Sequence, residues 1–278
     1  MLDDSLRDID VGQALQEDVG EGDLTAVLVP PDHHSRAHVL TRDAAVLCGT
    51  RWFSAVFHRL DRRVEIGWQA QDGDEVPPNQ EICVLAGPTR ALLTGERTAL
   101  NFLQTLSGTA TVTRGYARKL QGTHTKLLDT RKTIPGLREA QKYAVRCGGG
   151  YNHRLGLFDG VLIKENHIAA VGSIAGAVAS AKARYPAMQV EVEVENLAQL
   201  DEAIAAGADV LLLDNFTVDQ LQAAVARNRG RLRIEASGGF DLDTLRAAAE
   251  TGIDFISVGA LTKHIRAIDL SMRFLHDH

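Results

Sequence analysis

Arg131 and Lys132 stand side by side in the stretch Asp129-Thr130-Arg131-Lys132-Thr133-Ile134-Pro135-Gly136-Leu137-Arg138, directly after the apolar pair Leu127-Leu128 and ahead of a helical pattern. Two more cationic turns follow. His153-Arg154 comes after Gly148-Gly149-Gly150-Tyr151-Asn152, and Lys164 ends Val161-Leu162-Ile163 and leads into Glu165-Asn166-His167. A solvated charged face usually mixes both signs. Here the neighbours are Gly, Pro and Asn, the residues that build backbone turns. A guanidinium offers a planar fork matched to carboxylate or phosphate, and an ammonium offers a compact point charge. Three such turns in a chain of formal net charge −6 predict a local site for a polyanion. Lys164 admits a second chemistry, because a lysine at a barrel strand end can form a Schiff base, as in an aldolase.

Acidic residues come next. Val190-Glu191-Val192-Glu193-Val194-Glu195 alternates strictly, whereas a parallel strand covered on both faces is usually apolar throughout. Placed in a barrel, its Glu face would point into the lumen, where a buried carboxylate needs a cation or a metal. An edge strand with a solvated Glu face would read the same way. Asp214-Asn215 follows the apolar run at 210–213. Ser237-Gly238-Gly239 and Gly259-Ala260 offer backbone N–H groups at helix starts, which suit a phosphate. Capping alone would account for Asn196, Asn215 and Ser237, but not for Lys164 or for Arg131 with Lys132.

The elements that must position these groups alternate. Short apolar runs at 126–128, 161–163, 190–194, 210–213, 232–234 and 255–258 are separated by Ala-rich helical stretches at 173–184, 197–206, 218–227 and 242–251. Gly207 and Gly252 stand at expected helix ends. Repeated strand–helix units imply a parallel sheet. About six strands fall short of the eight of a closed barrel, so an open, incomplete TIM-like α/β barrel is the first expectation and a doubly wound sheet the second. In such a barrel the strand C-termini carry the site. The first hundred residues differ. Runs at 39–40, 44–47, 64–68 and 82–85, broken by Asp-Gly and Gly-Pro turns, with a helix over 51–60, predict an α+β domain with an antiparallel sheet. A long helix opening at Gly95 would join the two. The expected division is residues 1–108 and 109–266, with 267–278 packing back on the first domain.

Composition excludes several classes. The 278 residues are 45% hydrophobic and 24% charged, an ordinary globular balance. The acidic balance argues against a general nucleic-acid coat. Cys48, Cys83 and Cys147 have no zinc-ligand spacing and suit a reducing compartment, the cytoplasm. Met1-Leu2-Asp3-Asp4-Ser5 is too acidic for a signal peptide. No apolar run approaches the roughly 18 residues of a membrane span.

Several blocks, in order, resemble the quinolinate phosphoribosyltransferase family. They are Glu17-Asp18-Val19-Gly20-Glu21-Gly22-Asp23-Leu24-Thr25, Gly95-Glu96-Arg97-Thr98-Ala99-Leu100-Asn101, the 129–136 loop and Asn152-His153-Arg154. Lys164-Glu165-Asn166-His167, Glu191 to Asn196, Leu213-Asp214-Asn215 and Ser257-Val258-Gly259-Ala260-Leu261-Thr262 complete the set. The resemblance implies an N-terminal α+β sandwich followed by an open α/β barrel. It implies transfer of phosphoribose from phosphoribosyl pyrophosphate to quinolinate, with decarboxylation, giving nicotinate mononucleotide, pyrophosphate and carbon dioxide for de novo NAD synthesis. It implies that Arg131, His153 and Arg154 lie at quinolinate, with Arg97 entering from the other subunit of a homodimer (a hexamer stays open), and that Thr130 is among the substrate-binding residues. Lys132 and Lys164 would lie near both substrates. Glu193 and Asp214 would lie near the ribose and its Mg²⁺, held directly or through water. Ser237, Gly238, Gly239, Gly259 and Ala260 would lie at phosphate. Lys132, Lys164, Glu193 and Asp214 are the expected catalytic groups. Two rivals are a relative within the fold with another acceptor, and a phosphometabolite-binding module without turnover.

Overall fold

A computed structural model describes residues 11–275. The acidic start of the chain and residues 276–278 lie outside the described residues. In chain order the elements are α1 (Val11–Val19), β1 (His34–Thr41), β2 (Ala45–Val46), α2 (Thr50–Leu60), β3 (Glu65–Trp68), β4 (Glu75–Val76), β5 (Glu81–Pro88) and α3 (Thr89–Lys119). They continue with β6 (Lys126–Leu128), α4 (Arg138–Cys147), β7 (Val161–Ile163), α5 (Glu165–Val171), α6 (Ile174–Arg184), β8 (Val190–Val194), α7 (Leu197–Ala205) and β9 (Val210–Asp214). The last are α8 (Val218–Asn228), β10 (Arg233–Ser237), α9 (Leu245–Ala249), β11 (Phe255–Ser257), α10 (Ala260–Lys263) and β12 (Leu270–Leu275).

The chain divides into two compact units. The first holds residues up to Arg114, Ile134–Gly149 and the segment from His264; the second holds Gly115–Thr133 and Gly150–Lys263. The boundary expected near Gly108 falls inside α3, which runs unbroken to Lys119. α3 also begins earlier than Gly95, because Thr89 follows the last residue of β5 without a loop. Residues 134–149, expected in the barrel, belong to the first unit. There Ala140, Ala144 and Cys147 of α4 join its core.

In the first unit an antiparallel sheet runs β12-β1-β5-β3. β1 alternates exposed or half-buried with buried residues, as expected of a sheet with one wet face. Phe53, Phe57 and Trp68 pack edge to face beneath it, at centroid distances of 5.1 and 5.2 Å. The C-terminal segment supplies β12, pairing Arg36 with Leu275 through Thr41 with Leu270.

The second unit holds six parallel strands in the order β6-β11-β10-β9-β8-β7, a sheet that curls but does not close. Beyond the β6 edge the chain at Tyr151 forms a parallel bridge to Leu128, taking Leu127 O at 2.8 Å and returning a carbonyl to Asp129 N–H at 3.1 Å. Alternation divides the strands into two faces. Val190, Val192, Val194, Leu211, Leu213, Ile234, Ala236 and Ile256 are all buried. The intervening Glu191, Glu193, Leu212, Glu235 and Ser257 face the lumen. β10 runs further than the apolar stretch ending at Ile234, since it continues through Glu235 to Ser237. Leu242–Thr251 shortens to Leu245–Ala249, and α5 forms where only a polar turn is expected.

Candidate active site

A cavity of about 290 Å³ opens at the C-terminal ends of the six strands. Thr130, Arg131, Lys132, His153, Arg154, Leu162, Lys164, Glu193, Leu212, Glu235, Ser237 and Ser257 line it. Each basic turn is held by local bonding. In the first, Thr130 Oγ1 accepts the Lys132 N–H at 3.1 Å, and Thr262 Oγ1 donates to the Lys132 carbonyl at 2.8 Å. The side chain of Lys132 then lies across Gly259, where an added Cβ would sit 3.1 Å from Lys132 Cδ and 3.6 Å from Thr130 Oγ1. A side chain at position 259 would push that ammonium away, and this is the role the structure gives the first residue of Gly259-Ala260.

The second turn is anchored by Asp129, which is fully buried. Its carboxylate accepts Asn152 Nδ2 at 2.6 Å and the His153 N–H at 2.9 Å. Arg154 Nη1 donates to Gly160 O at 3.1 Å. Burial, then the neighbouring charge of Arg131, lowers the Arg154 pKa. A partly desolvated guanidinium in the field of a second cation favours the arrival of an anion. Arg131 Nε is buried without a hydrogen-bond partner, so part of a guanidinium stays unsatisfied in a pocket lined by cations.

Lys164 Nζ pairs with Glu193 Oε2, across from β7 to the neighbouring β8. Burial raises the Glu193 pKa, and the ammonium opposes that rise. The lysine is thus tied to a carboxylate, unlike the desolvated neutral amine that Schiff-base chemistry requires. Asp214 ends β9, where its Oδ2 accepts Asn215 Nδ2 at 2.8 Å. Asn215 does not cap α8; Thr217 does. Instead Asn215 turns through φ 57° and donates its N–H to Ser237 O at 2.9 Å. Gly238 adjoins that turn at φ 127°, and a Cβ there would meet Asn215 Oδ1 at 2.6 Å and its backbone N at 2.8 Å. Only glycine allows the two loops to approach so closely.

Most of the expected residues therefore converge in one unit. Asp214, Gly238, Gly239, Gly259 and Ala260 shape the strand-end loops, while Arg97 stands exposed on α3 of the first unit. The residue that the sequence reading missed is Glu235. It is 2% exposed, yet it lines the cavity. Only its place inside a strand-like stretch could have signalled it, and its charge hid that stretch.

Two consecutive stretches of the chain match known family models. Residues 23–107 match the N-terminal domain of quinolinate phosphoribosyl transferase, and residues 109–273 match its C-terminal domain. The chain belongs to the quinolinate phosphoribosyl transferase family. It is 44% identical to the probable nicotinate-nucleotide pyrophosphorylase [carboxylating] of Bacillus subtilis (strain 168), over 92% of this chain and 89% of that one. It is 42% identical to the nicotinate-nucleotide pyrophosphorylase [carboxylating] of Mycobacterium leprae (strain TN), over 97% of each. The structure of the nicotinate-nucleotide pyrophosphorylase from Francisella tularensis matches with a TM-score of 0.91 at 51% identity, covering 95% of this chain and 94% of that one. As a member of this family the chain is an enzyme, a phosphoribosyltransferase, and among the described residues no helix is long and apolar enough to cross a membrane.

Proposed function

We propose that this cavity transfers the phosphoribosyl group of phosphoribosyl pyrophosphate to the nitrogen of quinolinate, with loss of carbon dioxide, yielding nicotinate mononucleotide and pyrophosphate for NAD biosynthesis. The observation that carries the reading is the convergence of Arg131, Lys132, Arg154 and Lys164 on one strand-end cavity beside Glu193, in a chain of this family. Quinolinate brings two adjacent carboxylates, and the donor brings a monophosphate and a pyrophosphate. Arg131 and Arg154 suit the planar dicarboxylate, with Thr130 and His153 at its edge. Lys132 and Lys164 suit the phosphate oxygens and the charge that moves as pyrophosphate leaves. The turns at Ser237-Gly238-Gly239 and Gly259-Ala260 suit the 5-phosphate.

Glu193 and Asp214 fit beside a hydrated Mg²⁺ rather than as its full shell. They are hard oxygen donors, but Glu193 is engaged by Lys164 and Asp214 by Asn215. Mg²⁺ usually keeps water and substrate oxygens and uses few protein carboxylates. Bound there with the pyrophosphate, it supplies neutralisation of the leaving group. The same carboxylates stabilise the positive charge that builds on the ribose carbon. Attack by the quinolinate nitrogen gives a pyridinium, which draws electron density from the adjacent carbon and eases decarboxylation.

A homodimer in the cytoplasm, with Arg97 completing the partner's site, completes the reading. Its support is the resemblance and the exposure of Arg97 in the first unit. Two experiments test it. Quinolinate, phosphoribosyl pyrophosphate and Mg²⁺ should give stoichiometric carbon dioxide and nicotinate mononucleotide; no product overturns the function. Mixing inactive Arg97→Ala and Lys164→Ala should restore part of the activity. If subunit exchange is demonstrated and none returns, Arg97 does not serve the partner's site.

A further inference from the structure

Decarboxylation makes a demand that none of the groups above meets. When carbon dioxide leaves, the electron pair of the broken carbon–carbon bond stays on C2 of the pyridinium, and a proton must reach that carbon. Arg131, Arg154, Lys132 and Lys164 are engaged as charges. The cavity floor holds a different kind of group. His153 Nε2 lies 3.1 Å from Glu191 Oε2 and 3.5 Å from Glu235 Oε2. His153 Nδ1 accepts the Arg154 backbone N–H at 2.7 Å. That nitrogen serves as an acceptor, so the other, Nε2, is the one that donates toward the two carboxyl groups. One N–H serves two carboxyls, and Oε1 of each is buried without a hydrogen-bond partner. Two carboxyls this close and this dry are not both ionised, so one holds a proton. The more deeply buried of the two, Glu235, also lines the cavity.

We propose that Glu235 is the general acid that protonates C2 after carbon dioxide departs. This rests on the phosphoribosyl-transfer and decarboxylation reading. The bond between C2 and the carboxylate carbon breaks, and its electrons remain on C2. The O–H bond of Glu235 breaks and a C2–H bond forms, leaving Glu235 as carboxylate. Charge is conserved: the negative charge that entered as the substrate's 2-carboxylate ends on Glu235, in the cavity that Arg131 and Arg154 also line. Solvent returns the proton once product leaves. A second cavity of about 300 Å³ shares His153 and Arg154 as wall and reaches Glu191, offering water a path.

The electrostatics agree. Burial, then the charge of Glu191, raises the Glu235 pKa to about 8, with His153 opposing. The groups facing the cluster are Arg131 and Lys132 after β6, Arg154, Lys164 after β7, Glu193 on β8 and Ser257 on β11. The cluster could also be read as a metal site, since its three ligand atoms lie within 4.8 Å of one another. An imidazole with only two carboxyls suits Mg²⁺ poorly, since that ion prefers an all-oxygen shell.

Glu235→Gln keeps the shape and removes the transferable proton. Its single-turnover rate should fall about 100-fold, with KM for both substrates within about threefold, and Glu235→Asp should recover part of the loss. Wild type should lose its single-turnover rate as pH rises through about 8, and the Gln variant should lose that limb. Three results overturn the proposal: a Gln variant with more than about one third of the wild-type rate, a slowed variant that keeps the alkaline limb, or a wild-type rate level to about pH 9.5. The wild-type profile decides the matter even if the variants fail to fold. Absence of any wild-type turnover would instead refute the underlying reaction.

Discussion

Glu191 and Glu193 lie two residues apart on one strand and face the same lumen, yet they live in different worlds. Glu193, the nearer to the strand end, meets the ammonium of Lys164. Glu191, two residues earlier, meets the imidazole of His153, which also reaches the Glu235 carboxyl. At the first position an acid pairs with a flexible cation, and at the second it shares an imidazole with another buried carboxyl. The two side chains are equally exposed, at 11% each, so the partner rather than the depth separates them: an ammonium at Glu193, and at Glu191 an imidazole shared with Glu235.

Removing a cation at the mouth tests the charge half of this comparison most harshly. Arg131→Ala or Arg154→Ala should lower kcat/KM for quinolinate by about 1000-fold, because a substrate carboxylate would stay buried and unpaired. Circular dichroism should show an intact fold, since the loops carry no core volume. Wild-type efficiency in both variants would dissolve the anion site. A substrate change probes the same contacts from the other side. Nicotinate lacks the second carboxylate, so it should react about 100-fold or more less efficiently than quinolinate. Parity between the two acids would mean that the Arg pair reads a single carboxylate.

A double-mutant cycle on Lys164→Met and Glu193→Gln sharpens the contrast with the floor. Each single change should cost about 10-fold to 100-fold in kcat. The double variant should lose less than the product of the two, because the pair is direct. Strict additivity would separate their roles. The smallest effect is expected for Gly238→Ala. The added Cβ would strike Asn215, and strain of about 1–3 kcal/mol should appear as a lower melting temperature with a modest loss of phosphoribosyl pyrophosphate affinity. An unchanged melting temperature would show that the loop relaxes freely.

Much of the barrel was legible because its strands follow simple alternation. Five of the six short runs lie over observed strands with nearly the same limits, since a run of Val, Leu and Ile between Ala-rich helices has few other solutions. β10 was cut short at Ile234 because Glu235 breaks the apolar pattern, and the same charge concealed the candidate acid. The early start of α3 was missed because Pro88 and Thr89 read as a turn, whereas Pro is readily followed by a helix's first turn. The short α5 was masked by the polar Lys164-Glu165-Asn166-His167, whose helix is set by His167 Nδ1 taking the Lys164 N–H at 3.0 Å.

By itself the sequence determined the cationic turns, the alternating glutamates and the two element patterns, because residue type and period are local properties. Only the tertiary structure decided which of those groups meet. Strands distant in the chain become neighbours through the sheet order, and their stagger brings Glu191 of β8 and Glu235 of β10 to the same imidazole although β9 lies between them. Whether a glutamate is a charge or a proton donor depends on its depth and its neighbours. Neither is written at its own position in the chain, because desolvation and pairing are properties of the folded environment.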